Sequence, residues 1–146
     1  MTDYKPNLRQ FAGASALRTI RHRQSILIIE DQVFFQTLLK HIISDNYDIL
    51  SAADGIEGLK LYESVAPNIV FLDIDLPKMM GHQVLKHIQT LDKNCFVVML
   101  TASQERDDVQ QAIKGGACGY ILKPFTKEQI NYYLNFYQQN GPNTSG

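Results

Sequence analysis

Ile69-Val70-Phe71-Leu72-Asp73-Ile74-Asp75-Leu76-Pro77 is an apolar run that ends in a carboxylate and a Pro-marked loop. An uninterrupted stretch of β-branched, aromatic and aliphatic residues of this length reads as a strand buried on both faces. Its terminal carboxylate is then fixed at the edge of a sheet, where one side chain can do chemistry. A second run, Ile26-Leu27-Ile28-Ile29, ends the same way in Glu30-Asp31. Two buried strands that deliver acids at their carboxyl ends imply one acidic pocket. Clustered carboxylates repel, so such a pocket calls for a cation.

Working outward, a weaker apolar run lies at 47–51 and further ones at 96–100 and 119–122. Amphipathic stretches of helical length separate them, at 32–44, 55–65, 82–91 and 104–114, and another follows at 126–140. In the first, Phe35, Leu38, Leu39 and Ile42 share one stripe, the spacing of a helix with one buried face. Thr126 followed by Gln129 predicts a capping box at the start of the last. Short runs alternating with helices predict an open α/β sheet with right-handed crossovers.

The chain has 146 residues, 45% hydrophobic and 20% charged, which suits one globular domain with a real core. No apolar stretch approaches the roughly 20 residues of a membrane span, and the N-terminus has no apolar signal core. The two cysteines, Cys95 and Cys118, have no metal-ligand spacing and read as reduced thiols of a cytoplasmic protein. Charge is uneven. Lys5, Arg9, Arg18, Arg21 and Arg23 against Asp3 give residues 1–24 a sum of +4, leaving −5 of the net −1 to the rest. Residues 1–24 are therefore read as a basic extension, as a solvated tail or a helix packed on the domain. A domain at 25–140 and a flexible tail at 141–146 complete the division.

Ligands of a doubly wound sheet bind outside the carboxyl ends of its strands. Each chemically interesting residue falls on such an end: Glu30 and Asp31, Asp73, Thr101, and Lys123 before Pro124. Singly, each has a structural explanation: Glu30-Asp31 as a helix cap, Lys123-Pro124 as a loop, Thr101 as packing. Together they form a site. Hard oxygen ligands with room for water suit Mg²⁺. A carboxylate beside such a metal can be a nucleophile toward phosphorus, giving an aspartyl phosphate. Lys123 supplies a positive charge and Thr101 a hydroxyl for phosphate oxygens.

With these residues the chain resembles the response-regulator receiver domains of two-component and phosphorelay signalling. The resemblance rests on Ile28-Ile29-Glu30-Asp31, on the run ending at Asp73 with Pro77 and Gly81, on Met99-Leu100-Thr101-Ala102, and on Gly119 through Phe125. It covers roughly residues 25–138. It implies a flavodoxin-like, doubly wound five-stranded parallel sheet of order 2-1-3-4-5 with five helices, beside the N-terminal extension. It implies that Asp73 is phosphorylated by a histidine kinase or histidine phosphotransfer protein. Asp31, Asp73 and the main-chain carbonyl of Asp75 would ligate Mg²⁺, with Glu30 acting through water. Thr101 would move toward the phosphate and Tyr120 would swing inward as the switch. Asp75 and Ser103 depart from the commonest pattern at positions flanking the attacking water, so they bear on the lifetime of the phosphorylated form. The resemblance implies a switch, not an enzyme beyond self-catalysed phosphotransfer and slow autodephosphorylation.

Nothing after Lys127 is long enough for an output domain, so an effector in trans is expected. Tyr132 and Phe136 are expected to turn away from the sheet, offering a partner or homodimer surface. Val33 and Phe34, beside the acids, are expected to dock a histidine-bearing helix bundle. Neither a membrane nor a nucleic acid is expected as a partner. Two other readings compete. Asp73-Ile74-Asp75 also reads as the Asp-x-Asp of haloacid-dehalogenase-type phosphohydrolases, with Asp75 as general acid, although there the motif follows the first strand. A receiver-shaped module working unphosphorylated is the other.

Overall fold

The computed structural model describes residues 4–43, 45–102 and 106–141, except the side chains of Arg106 and Asp108. In chain order the elements are α1 (Leu8–Arg18), β1 (Gln24–Ile29), α2 (Val33–Ile42), β2 (Tyr47–Ala52), α3 (Gly55–Val65) and β3 (Ile69–Asp73). They continue with α4 (Gly81–Leu91), β4 (Val97–Thr101), α5 (Arg106–Lys114), β5 (Gly119–Leu122) and α6 (Lys127–Asn140). The strands form one parallel sheet of order β2-β1-β3-β4-β5. The expected sheet order is thus the observed one. Strand order reverses between β1 and β3, and their register pairs Ile29 with Leu72. The next residues, Glu30 and Asp73, are thereby carried side by side to the rim.

Each strand serves two cores because successive side chains point to opposite faces. Leu27, Ile29, Val70, Leu72, Val97 and Met99 pack one way, with Leu59 and Tyr62 of α3, Val84, Leu85 and Ile88 of α4 and Ala112 of α5. Ile26, Ile28, Phe71, Val98 and Leu100 pack the other way, with Leu39 of α2 and Ile130, Leu134 and Tyr137 of α6. The central strands β1, β3 and β4 are buried almost throughout, whereas β2 and β5 are half-open edges. That explains why the run at 47–51 is the weaker one.

Of the two readings of the basic extension, the structure shows the packed helix. Five helices belong to residues 25–140, and a sixth, α1, forms inside the basic extension. Asn7 caps it, accepting from the Gln10 amide at 3.0 Å. Phe11 is buried and stacks on Tyr62 of α3 with 5.9 Å between ring centroids. Arg18 makes a two-pronged ion pair with buried Asp92, at 2.7 and 3.4 Å, and the Tyr62 hydroxyl donates to the same carboxylate at 2.6 Å. Burial pushes the Asp92 carboxyl up, but the Arg18 guanidinium and the Tyr62 hydroxyl donating to it hold it below its usual range. Arg21 donates to the carbonyls of Val65 and Ala66 at 2.5 and 2.9 Å, a cation at the negative end of α3. The extension is therefore a strap across α3, and its Arg18, Arg21 and Arg23 side chains are used in folding.

α6 begins with the capping box of Thr126 and Gln129. Tyr132 turns outward as expected, but Phe136 does not: it is half-buried, its ring 6.2 Å from that of Phe96. The α6 stripe is wider than the four positions Ile130, Tyr133, Leu134 and Tyr137, because Phe96 at the head of β4 reaches one position further. Ser103, the start of the helix expected from 104, and the tail from 142 lie outside the described residues.

α4 starts hard against the end of β3. A Cβ on Gly81 would lie 2.4 Å from the Asp73 carbonyl oxygen and 2.6 Å from the Ile74 Cα, both backbone atoms that cannot yield. Gly81→Ala should destabilise the fold by about 1–3 kcal/mol or more in urea denaturation. Gly13→Ala, on the open face of α1 with nothing within 4 Å of its added methyl, should stabilise it by about 0.5–1 kcal/mol. Equal effects at the two glycines would refute this reading of the α4 start.

Candidate functional site

The carboxyl ends of β1, β3 and β5 meet at one cleft of about 320 Å³, whose walls include Asp31, Asp73, Asp75, Phe35, Ala102 and Lys123. One carboxylate oxygen each from Glu30, Asp31 and Asp73 lie within 4.8 Å of one another. Glu30 and Asp73 are buried, and Asp31 is exposed. The Lys123 Nζ stands 2.6 Å from Glu30 Oε1 and 3.4 Å from Asp73 Oδ1. The shorter contact is close but poorly directed, since Glu30 Oε1 accepts no well-aligned hydrogen bond. Charge rather than hydrogen-bond geometry holds that pair.

Local backbone fixes each acid. The Gln32 amide donates to Glu30 Oε2 at 3.0 Å, and the Asp75 amide donates to Asp73 Oδ1 at 3.2 Å. Gln36 on α2 donates its side-chain amide to the Glu30 carbonyl. The Lys123 amide donates to the Thr101 carbonyl at 2.7 Å, tying the end of β5 to the end of β4. Thr101 itself is fully buried. Asp75 is exposed at the cleft, and Tyr120 is 38% exposed on β5, facing away from the acids toward α6.

The electrostatics follow from burial. Burial pushes the Asp73 carboxyl up to about 7; the Glu30 charge adds to that, and Lys123 opposes it. The donor set fits a hard divalent cation: oxygen ligands clustered more closely than like charges tolerate, with an open side for water. Sequence reasoning missed the part played by Phe35. The Lys123 ammonium lies 4.4 Å from its ring centroid, a cation–π contact, and Phe125 closes on the other side at 5.6 Å. Phe35 was legible only as part of a packing stripe, because no local spacing signals that its ring floors a site.

A family model described as the response regulator receiver domain matches residues 26–135. The chain belongs to that family. Receiver domains of two-component signalling are phospho-acceptors that interact with kinases, phosphotransfer proteins and effectors. This receiver is 36% identical to the chemotaxis protein CheY of Listeria monocytogenes over 107 residues, which is 72% of this chain and 90% of the relative. It is 32% identical to sporulation initiation phosphotransferase F of Bacillus subtilis, over 73% of this chain and 87% of that protein. Among solved structures it resembles CheY in the CheX-CheY-BeF3-Mg complex of Borrelia burgdorferi, with 31% identity and a TM-score of 0.72. That likeness covers 79% of this chain and 89% of that one.

The Asp73 shift sets a pH dependence for this receiver. Its folded pKa of about 7 lies above the unfolded value near 4, so the native state holds the proton more tightly. Folding then takes up a proton in that window, and stability falls as pH rises from about 4 to about 7. In chelator-treated protein, urea midpoints should fall over that range, and Asp73→Asn should flatten the slope. A slope unchanged by Asp73→Asn would show that Asp73 is not the group responsible.

Proposed function

We propose that Asp73 accepts the phosphoryl group and that Lys123, Thr101 and Tyr120 convert its arrival into a changed surface. The observation that carries the reading is the Asp73 carboxylate ending a buried strand at an open cleft, with Lys123 3.4 Å away and Glu30 and Asp31 beside it. One Asp73 oxygen attacks the phosphorus of a phosphohistidine, the N–P bond breaks, and the imidazole leaves with the electron pair. Such transfer needs mainly positioning and neutralised charge. Glu30, Asp31, Asp73 and the Asp75 carbonyl would hold Mg²⁺, which supplies that neutralisation when bound. Lys123 would exchange part of its pairing with Asp73 for the phosphoryl oxygens. The Thr101 hydroxyl would reach them as its loop shifts, and Tyr120 would leave its exposed position as Thr101 vacates space.

The donor's docking place is proposed at the start of α2. Val33 and Phe34 are 73% and 68% exposed at the rim. Phe34 is braced edge-on by Phe35 at 5.1 Å, and Phe35 in turn carries Lys123. An exposed apolar pair backed by the site's own floor suits a helix bundle that presents histidine to Asp73. The effector, or a second copy of the chain, is proposed to read the surface of Tyr120 and Tyr132, which share a concavity of about 330 Å³ with Glu128, Gln129 and Tyr133. Residues 25–140 would be the switching unit, acting in the cytoplasm, with residues 1–24 as its strap.

Acetyl phosphate with Mg²⁺ should add one phosphate by mass, and Asp73→Asn should add none. Steady turnover of a phosphomonoester instead of single labelling would favour the phosphohydrolase reading, and absence of labelling would favour an unphosphorylated module. Phe34→Glu should slow transfer from a phosphohistidine donor at least about tenfold, a loss of some 1.4 kcal/mol. Its labelling by acetyl phosphate should stay unchanged. Equal rates from the protein donor would remove α2 as the docking place.

A further inference from the structure

Away from the acidic rim, a groove of about 630 Å³ runs between α4 and α5. Its charged lining is entirely cationic: Lys86 and Lys93 from the α4 side and Lys114 from the last turn of α5, together with His82. No carboxylate lines it among the described residues, and none of the three lysines has an ion-pair partner there. The contrast with composition is informative, because residues 25–146 are net acidic at −5 and an ordinary surface mixes both signs. Gln89 braces the groove, donating to the Gly116 carbonyl at 2.8 Å and so tying α4 to the turn after α5.

His82 is the second observation. Both of its ring nitrogens are closed off from solvent, and neither has a hydrogen-bond partner. A buried polar atom without a partner is costly and asks for a ligand or ordered water. Lys86 lies within α4 and Lys93 just beyond its end, seven positions apart in sequence, with Lys114 of α5 on the opposite wall. One small monoanion cannot meet all three. Ammonium groups are point charges suited to phosphate oxygens, and phosphate oxygens also accept from an imidazole N–H. Among the described residues the groove has no Phe, Tyr or Trp to stack a nucleobase, and the ring nitrogens of its one imidazole are closed off from solvent. Its apolar side chain, Leu85, is buried in the core, so a protein segment would find no anchoring contact.

We propose that the α4–α5 groove binds a short phosphoanhydride chain, a linear polyanion of the tripolyphosphate class, independently of the Asp73 site. Calorimetric titration of the full chain with sodium tripolyphosphate in chelator-treated, magnesium-free buffer should give saturable one-to-one binding. Orthophosphate should bind at least about tenfold more weakly, since it spans a single lysine. Lys86→Glu with Lys114→Glu, both on exposed positions, should reduce tripolyphosphate affinity at least about a hundredfold with the unfolding midpoint unchanged. His82→Leu should weaken it while His82→Gln retains more, and Asp73→Asn should leave it unaltered. Absence of saturation at millimolar tripolyphosphate would overturn the proposal, as would affinity insensitive to the lysine changes. Equal binding of a hexaglutamate peptide would overturn it in favour of an acidic protein segment.

Discussion

One buried ammonium shared between two buried carboxylates is the constraint on which the rest of the site depends. Lys123, Glu30 and Asp73 sit almost wholly out of solvent, where charges are costly unless paired. A single cation cannot fully compensate two anions, and Asp31 brings a third. Burial, with the Glu30 charge adding to it, raises the Asp73 carboxyl toward 7, and the residual negative charge favours a divalent cation at the rim. The supporting structure keeps this uneasy set in place. Parallel register carries Glu30 and Asp73 to the same level, Gly81 lets α4 begin against the Asp73 carbonyl, and Phe35 floors the ammonium.

Under the proposed chemistry, a phosphoryl group on Asp73 brings roughly 1.5 to 2 further negative charges into this set. Lys123 is the group whose pairing must change, and its position reports the change along two lines. Its backbone amide is bonded to Thr101 across the β4–β5 ends, and its side chain rests on Phe35 of α2. A redistribution of its contacts is thus mechanically connected both to the hydroxyl expected to respond and to the exposed apolar pair proposed to meet the donor. A packed core transmits such shifts as discrete rearrangements rather than gradual deformation.

The sheet and the acid cluster were legible because the signals that encode them are local. Runs such as Ile26-Leu27-Ile28-Ile29 and Ile69-Val70-Phe71-Leu72 mark strands without help from the rest of the chain, and their terminal acids come with them. What escaped depended on contacts distant in sequence. Arg18 meets Asp92 and Phe11 meets Tyr62, so the basic segment reads alike as a solvated tail or as a packed helix until those distant partners are known. Phe136 looked like an outward residue because helical periodicity alone cannot know that Phe96 extends the sheet's apolar face toward it. Phe35 was visible as packing and not as site floor for the same reason: the lysine above it arrives from a strand 88 positions later.

The strap also apportions the molecular surface. α1 lies on α3, and Arg21 covers the last carbonyls of that helix, so part of this flank is covered by the chain's own residues. The start of α2, the β5–α6 edge and the α4–α5 groove stay open, and each offers different chemistry: an exposed apolar pair, tyrosines around a shallow concavity, and a row of ammonium groups. A bundle seeking Asp73 would meet the first, whereas a polyanion would be repelled by the acidic rim and drawn to the third. Because opposite charges are separated about α4, with the acids beyond its start and Lys86 and Lys93 along and beyond its second half, two ligands of opposite demand can be served by one small domain without competing for the same side chains.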